Sequence, residues 1–278
     1  MPVQIVTDSA ADLSPELAAE HKIRVVPLSI RFGDEEFTDG VELSSEQFYA
    51  RMATFDGMPA TAAPAPGAFE AAIREAGADG DAVVVITISS ALSATMASAE
   101  NAARAIGSDL DVRVVDSKSI TAGQGMKCVA AAQAAAGGAT AEEIVALVED
   151  LRERTTIYGA LNTLDNLKKG GRIGGAQALL GSVLSIKPIV DISDGTVKEA
   201  GKVRTRRKSL IWLRDKIFEF PDIEELALCS GHAEDVEELL DLMAPRYSRD
   251  QIKVWTIGPV IGTHGGPGIL GFAWHHRT

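Results

Sequence analysis

In the first half of the chain, short apolar runs alternate with longer segments of helical period, and this alternation constrains the fold most. Gln4–Thr7, Ile23–Ile30, Ala82–Ile88 and Val112–Val115 read as strands. The third is almost wholly apolar, as a strand covered on both faces must be. Between the strands, Ser14-Pro15 opens a helix with a capping hydroxyl and a proline at its first position. Ser44 with Gln47 reads as a capping box for a helix through Met52. Gly67–Ala76, Ser93–Ile106, Gly123–Ala136 and Ala141–Arg154 follow as helices, the last capped by Thr140 and Glu143. Strands separated by helices of this length pair in parallel, which predicts a Rossmann-like layered α/β sheet with flanking helices.

From Thr156 onward the pattern changes. Ile186–Ser193, an Asp194-Gly195 turn and Val197–Glu199 read as a β-hairpin. A helix over Arg206–Phe218, a strand at Leu226–Cys229, a helix over Ala233–Met243 and a strand at Lys253–Ile257 complete the pattern. The expectation is a Rossmann-like domain over 1–155 and an α+β domain with a largely antiparallel sheet over 156–278. A cleft between two such units favours a small-molecule site.

Charge narrows the partners. With 27 basic against 39 acidic side chains the net charge is −12, opposite to a nucleic-acid footprint. Cys128 and Cys229 lie in apolar runs without metal or redox spacing, as core thiols of a reduced, cytoplasmic protein would. No metal or cofactor motif is found. The first residues carry no basic leader, and no apolar run approaches the ~20 residues that span a bilayer. A lipid ligand would therefore be handled as by a soluble carrier. Among the histidines, His21, His275 and His276 read as surface residues and His232 as a helix-start residue.

Several segments carry candidate chemistry. Glycines and prolines crowd Gly258–Gly271 around a single imidazole, His264. Such a loop either makes a tight crossover or presents the ring at a fixed place. Thr7-Asp8-Ser9…Asp12-Leu13 falls at the carboxyl end of the first strand, where open parallel sheets bind ligands; local turn bonds by Asp8 and Ser9 are the plainer reading. Ser89-Ser90-Ala91-Leu92-Ser93-Ala94-Thr95 places hydroxyls where free N–H groups of a helix start suit a carboxylate or phosphate. Pro59–Gly67 holds one hydroxyl, Thr61, in what reads as a surface linker. Asn166–Gly174 and Gly201–Lys208 are the main basic clusters, with Arg172 between glycines in a setting suited to fork-like contact with an anion.

Taken in order from residue 7 to residue 271, these pieces resemble the DegV family of bacterial fatty-acid-binding proteins, which includes the binding subunits of fatty acid kinase. Asp116-Ser117…Gly123…Gly125, Lys169–Ile173 and Gly201–Thr205 belong to the same ordered set. The resemblance implies a two-domain fold with a buried long-chain fatty acid such as palmitate, stearate or oleate. It implies a carboxylate held by Thr61, Ser93 and His264. It further implies docking of a fatty acid kinase catalytic subunit through Arg172 and Arg204, in phospholipid synthesis, with no turnover by the carrier itself. The chain departs from the family pattern at Ala62 and Ala65, where serine is usual, and at Ala91 and Ala94, where glycine is usual.

Elementary energetics suit a carrier. Hydroxyls and an imidazole supply donors to a buried carboxylate, which unpaired would cost several kcal/mol. The rival reading is a serine hydrolase acting on an acyl ester, with Ser93 as nucleophile and His264 as base. Ser93 lacks a Gly-x-Ser-x-Gly elbow, and no acid is placed by motif to orient His264. A kinase-type phosphate loop, Gly-x-x-x-x-Gly-Lys-Ser/Thr, is not found.

Overall fold

The computed structural model of the protein describes residues 2–181 and 186–277. In chain order the elements begin with β1 (Val3–Asp8), α1 (Pro15–Glu20), β2 (Arg24–Val26), β3 (Ser29–Phe32), β4 (Glu35–Thr38), α2 (Ser45–Thr54) and β5 (Ala60–Ala62). Next come α3 (Pro66–Ala76), β6 (Ala82–Thr87), α4 (Thr95–Ile106), β7 (Val112–Asp116), α5 (Thr121–Ala136) and α6 (Ala141–Glu153). The remainder holds β8 (Thr155–Ala160), α7 (Asp165–Lys169), β9 (Lys187–Asp191), β10 (Lys198–Val203), α8 (Arg206–Phe218) and β11 (Ile223–Ser230). It closes with α9 (Val236–Met243), β12 (Lys253–Thr256), α10 (Pro259–Gly265) and β13 (Leu270–His276).

The first sheet is parallel throughout, in the order β2-β1-β6-β7. Every residue of β6 is buried because helices cover both faces. Val83 and Val85 pack with Phe69 and Ile73 of α3 and Ala99 of α4, while Val84 and Ile86 pack with Cys128 of α5 and Ile144 of α6. The second sheet runs β10-β9-β8-β13-β11-β12 and is antiparallel except for the β11–β12 pair. Its outer face carries α8 and α9 against Leu228, Phe272 and Trp274. Its inner face meets α5. A small antiparallel sheet, β4-β3-β5, completes the mixed α/β fold.

Helix α5 joins the layers, and its residues from Thr121 to Val129 are buried on every side. Glycine makes that possible. A Cβ at Gly123 would press into Ser119 and Ile157, and one at Gly125 would come within 2.8 Å of the Ala11 carbonyl and into the Trp255 ring.

Both helix capping boxes expected from the sequence form, at Ser44/Gln47 and Thr140/Glu143. Other expectations need correction. Ile23–Ile30 is not one strand: the chain divides at Pro27, which has no N–H for a ladder, so β2 joins the parallel sheet and β3 the small one. Gly258–Gly271 is not a loop throughout, for Gly258 caps α10 with Pro259 at its first position. His275 is not solvated. It is 3% exposed on the inner face of β13, where burial and neighbouring cations hold its pKa down near 3. His276 is half-buried against the Phe220 ring, whereas His232, at φ +52, is exposed beside Tyr49.

Candidate functional site

Three separate segments bring Thr61, Ser93 and His264 to one cavity. Thr61 is the middle residue of β5 and pairs with Ile30 across the small sheet. His264 lies in the last turn of α10. Their side chains meet, with Thr61 Oγ1 3.0 Å from His264 Nε2. Ser93 stands just before α4, whose N-cap is Ala94 and therefore offers no capping side chain. Ser93 Oγ instead lies 2.8 Å from Thr95 Oγ1 and accepts the Thr95 N–H at 3.3 Å.

The other hydroxyls of that motif serve the scaffold. Ser89 donates to the Gly195 carbonyl and Ser90 to the Asp116 carboxylate, at 2.7 and 2.6 Å. These bonds fix the turn between β6 and α4 and leave Ser93 facing the cavity.

Arg172 belongs to the same cluster. Its guanidinium donates to the carbonyls of Leu92, at 3.1 Å, and Gly170, at 2.7 Å, so it bridges the Ser93 turn and the segment after α7. Gly170 backs onto His264: a Cβ there would lie 2.9 Å from the imidazole Cε1 and closer still to Nδ1. Burial, and secondarily the Arg172 charge, pulls the His264 pKa down to about 4, so the ring is neutral at pH 7. Its Nδ1 is buried and has no hydrogen-bond partner among the described residues. Thr61, His264, Arg172 and Ser93 are thus contiguous.

The rest of the wall is apolar. Leu28, Ile88 just after β6, Val190 of β9, and Val260 and Ile261 of α10 line the cavity. One polar cluster and otherwise hydrocarbon walls suit an amphiphile with a single anionic end.

The structure places Arg204 differently. It follows β10, is exposed, and does not line the cavity. Arg172 lines it, where the family resemblance implied docking; its glycine-flanked setting, suited to an anion, was the available signal. Asp8 and Ser9 do form the local turn expected of them, and they also reach Ile88 and Leu28. The hydrolase arrangement finds no geometric support. His264 Nε2 is engaged by Thr61 rather than Ser93, and among the described residues no carboxylate orients the ring. No helix among the described residues is long and apolar enough to cross a membrane. Nor does any group of three potential ligands among them form a metal site.

Known proteins share this sequence pattern and this architecture. The sequence profile described as "Uncharacterised protein, DegV family" matches residues 2–277. Protein DegV of Bacillus subtilis is 30% identical over 283 residues, covering 99% of each chain. A DegV-family protein from Thermus thermophilus, solved as a fatty-acid-binding structure, superposes with a TM-score of 0.91 at 32% identity over 100% of both chains. A stearic-acid-binding protein from Eubacterium ventriosum superposes with a TM-score of 0.89 at 26% identity, covering 99% of this chain and 98% of the other. With its whole described length accounted for by one profile and one architecture, the chain belongs to the DegV family.

Proposed function

We propose that the cavity holds a long-chain fatty acid, its tail among the apolar walls and its carboxylate at Thr61, Ser93, His264 and Arg172. The observation that carries this reading is the single contiguous polar cluster at an otherwise apolar cavity. Each buried methylene contributes about 0.8 kcal/mol, so a sixteen-carbon tail gains on the order of 10 kcal/mol before ordering costs. The tail supplies affinity, and the cluster fixes which end stays at the mouth. Fatty-acid binding by the Thermus thermophilus and Eubacterium ventriosum proteins supports the same ligand class.

The finer reading is that the protein presents the carboxylate to a partner kinase for phosphorylation to an acyl-phosphate, in the cytoplasm, and does not turn over by itself. Exposed Lys168 and Lys169 adjoin Gly170 and Arg172, and exposed Lys202 and Arg204 form a second basic group. Basic side chains of this kind suit a partner handling phosphate. Native mass spectrometry of the purified protein, followed by solvent extraction, tests the carrier. Co-purified acyl chains are expected; protein that carries none and takes up no added palmitate would refute it. For the partner step, Arg204→Ala should retain lipid yet lower acyl-phosphate formation with an added fatty acid kinase.

A further inference from the structure

The end of β1 makes contacts that the headgroup cluster itself does not explain. Asp8 is fully buried, and its carboxylate accepts the Ala10 N–H at 3.0 Å and the Ile88 N–H at 2.7 Å. Ser9 Oγ accepts the Leu28 N–H at 3.0 Å, while the Leu28 carbonyl accepts the Asp39 N–H at 2.9 Å. Asp39 is 5% exposed, and its carboxyl faces the Ser9 hydroxyl. Asp12 stands at φ +51 with its carboxyl packed against Gly258, where an added Cβ would collide with it.

These contacts converge on three places in the chain. Ile88 opens the turn that carries Ser93. Leu28 precedes β3, whose Ile30 pairs with Thr61. Gly258 is the N-cap of α10, which carries His264. The Asp8 and Asp12 side chains therefore touch the entry to two of these segments directly, and Asp39 reaches the third through its own backbone N–H and through Ser9.

We infer that Asp8, Asp12 and Asp39 are positioning residues that set the mutual geometry of Thr61, Ser93 and His264. The inference rests on the fatty-acid reading of the cavity. A carboxyl side chain is suited to the task because its two oxygens can accept two backbone N–H groups at once, as those of Asp8 do. If these residues were only core filling, removing one would loosen tail and head alike.

The test compares palmitate with hexadecanol, which shares the tail and lacks the carboxylate. Asp8→Asn keeps the side-chain shape and loses one acceptor; Asp12→Asn also tolerates the left-handed backbone. Each variant should unfold cooperatively near the wild-type temperature. Palmitate should bind roughly tenfold more weakly, as loss of one well-formed hydrogen bond would cause, with hexadecanol within about twofold of wild type. Equal losses for both ligands, or unchanged palmitate binding, would overturn the inference. Should Asp8→Asn fail to fold, Ser9→Ala and Asp39→Asn carry the same comparison through Leu28. Wild-type protein that binds neither ligand would instead remove the fatty-acid reading, and the inference with it.

Discussion

Gly170→Ala isolates the imidazole from the rest of the cavity. Gly170 has ordinary helical backbone angles, φ −77 and ψ −7, so alanine introduces no strain there and the turn after α7 should persist. The added Cβ would lie 2.9 Å from His264 Cε1, nearer to Nδ1, and 3.0 Å from the Asn166 carbonyl. Contacts this close do not survive, and the side chain is the softer neighbour. The ring must move from its place against Thr61, 3.0 Å away. A hydrogen bond to a charged group is worth about 1.5–3 kcal/mol, so palmitate should bind about 10- to 150-fold more weakly. Displacement of a fluorescent fatty acid measures that change, and thermal unfolding in parallel checks that the fold is kept. Wild-type palmitate affinity in a folded Gly170→Ala protein would refute the assignment of His264 to the carboxylate.

Other perturbations test the buried charges and the packing. Burial, with a smaller push from Asp8 and opposition from the Ser9 hydrogen bond, raises Asp39 from 3.8 to about 6. The native state thus keeps a proton that the unfolded state releases, and this contribution is full below about pH 4 and lost as pH rises through 6. Relative to Asp39→Asn, wild type should lose on the order of 3 kcal/mol of unfolding free energy between pH 4 and 6 in urea titrations; a gap moving the other way contradicts the assignment. Lys127 is 1% exposed, and burial drives its pKa from 10.5 down to about 7. The cost of its charge is greatest below pH 7 and fades toward pH 10.5, so Lys127→Met should melt several degrees higher at pH 7 by calorimetry, with the gain shrinking at pH 10. Gly125→Ala, forced against Trp255 and the Ala11 carbonyl, should cost about 1–3 kcal/mol in chemical denaturation, and an unchanged midpoint would mean looser layers than described.

What the sequence made legible was what local chemistry controls. The capping boxes at Ser44 and Thr140 and the all-apolar run of β6 were readable because each signal lies within a few residues of its consequence. The small sheet was not, since β4 and β5 are short and draw their pairing from β3 rather than from their own pattern. Helix α10 was obscured by glycines whose reason is tertiary: a Cβ at Gly262 would reach Phe48 Cε1 at 2.9 Å and meet the Tyr49 hydroxyl. Its glycine content serves close approach to α2, which local propensity does not encode. Thr61 and His264 lie 203 residues apart, so their meeting was accessible only through the ordered family motifs. That Arg172 turns inward to Leu92 depends on the fold as a whole.

The charge state of the cluster explains how one site could combine tight holding with a defined orientation. A tail alone binds either way round, because its burial depends on area and not on direction. Orientation has to come from the free energy of placing a carboxylate at one end rather than in hydrocarbon, where it would cost several kcal/mol. Were His264 protonated in the empty site, it would stand as a second cation beside the half-buried Arg172 guanidinium. With its pKa near 4 it does not, and Arg172 is the fixed positive charge among the four polar residues. One cation, two hydroxyls and a neutral ring match one carboxylate in charge and in donors without leaving the empty cavity burdened by paired like charges. A neutral-headed lipid meets the same walls but leaves the guanidinium without a counter-charge, so discrimination should fall on the head while affinity rests on the tail.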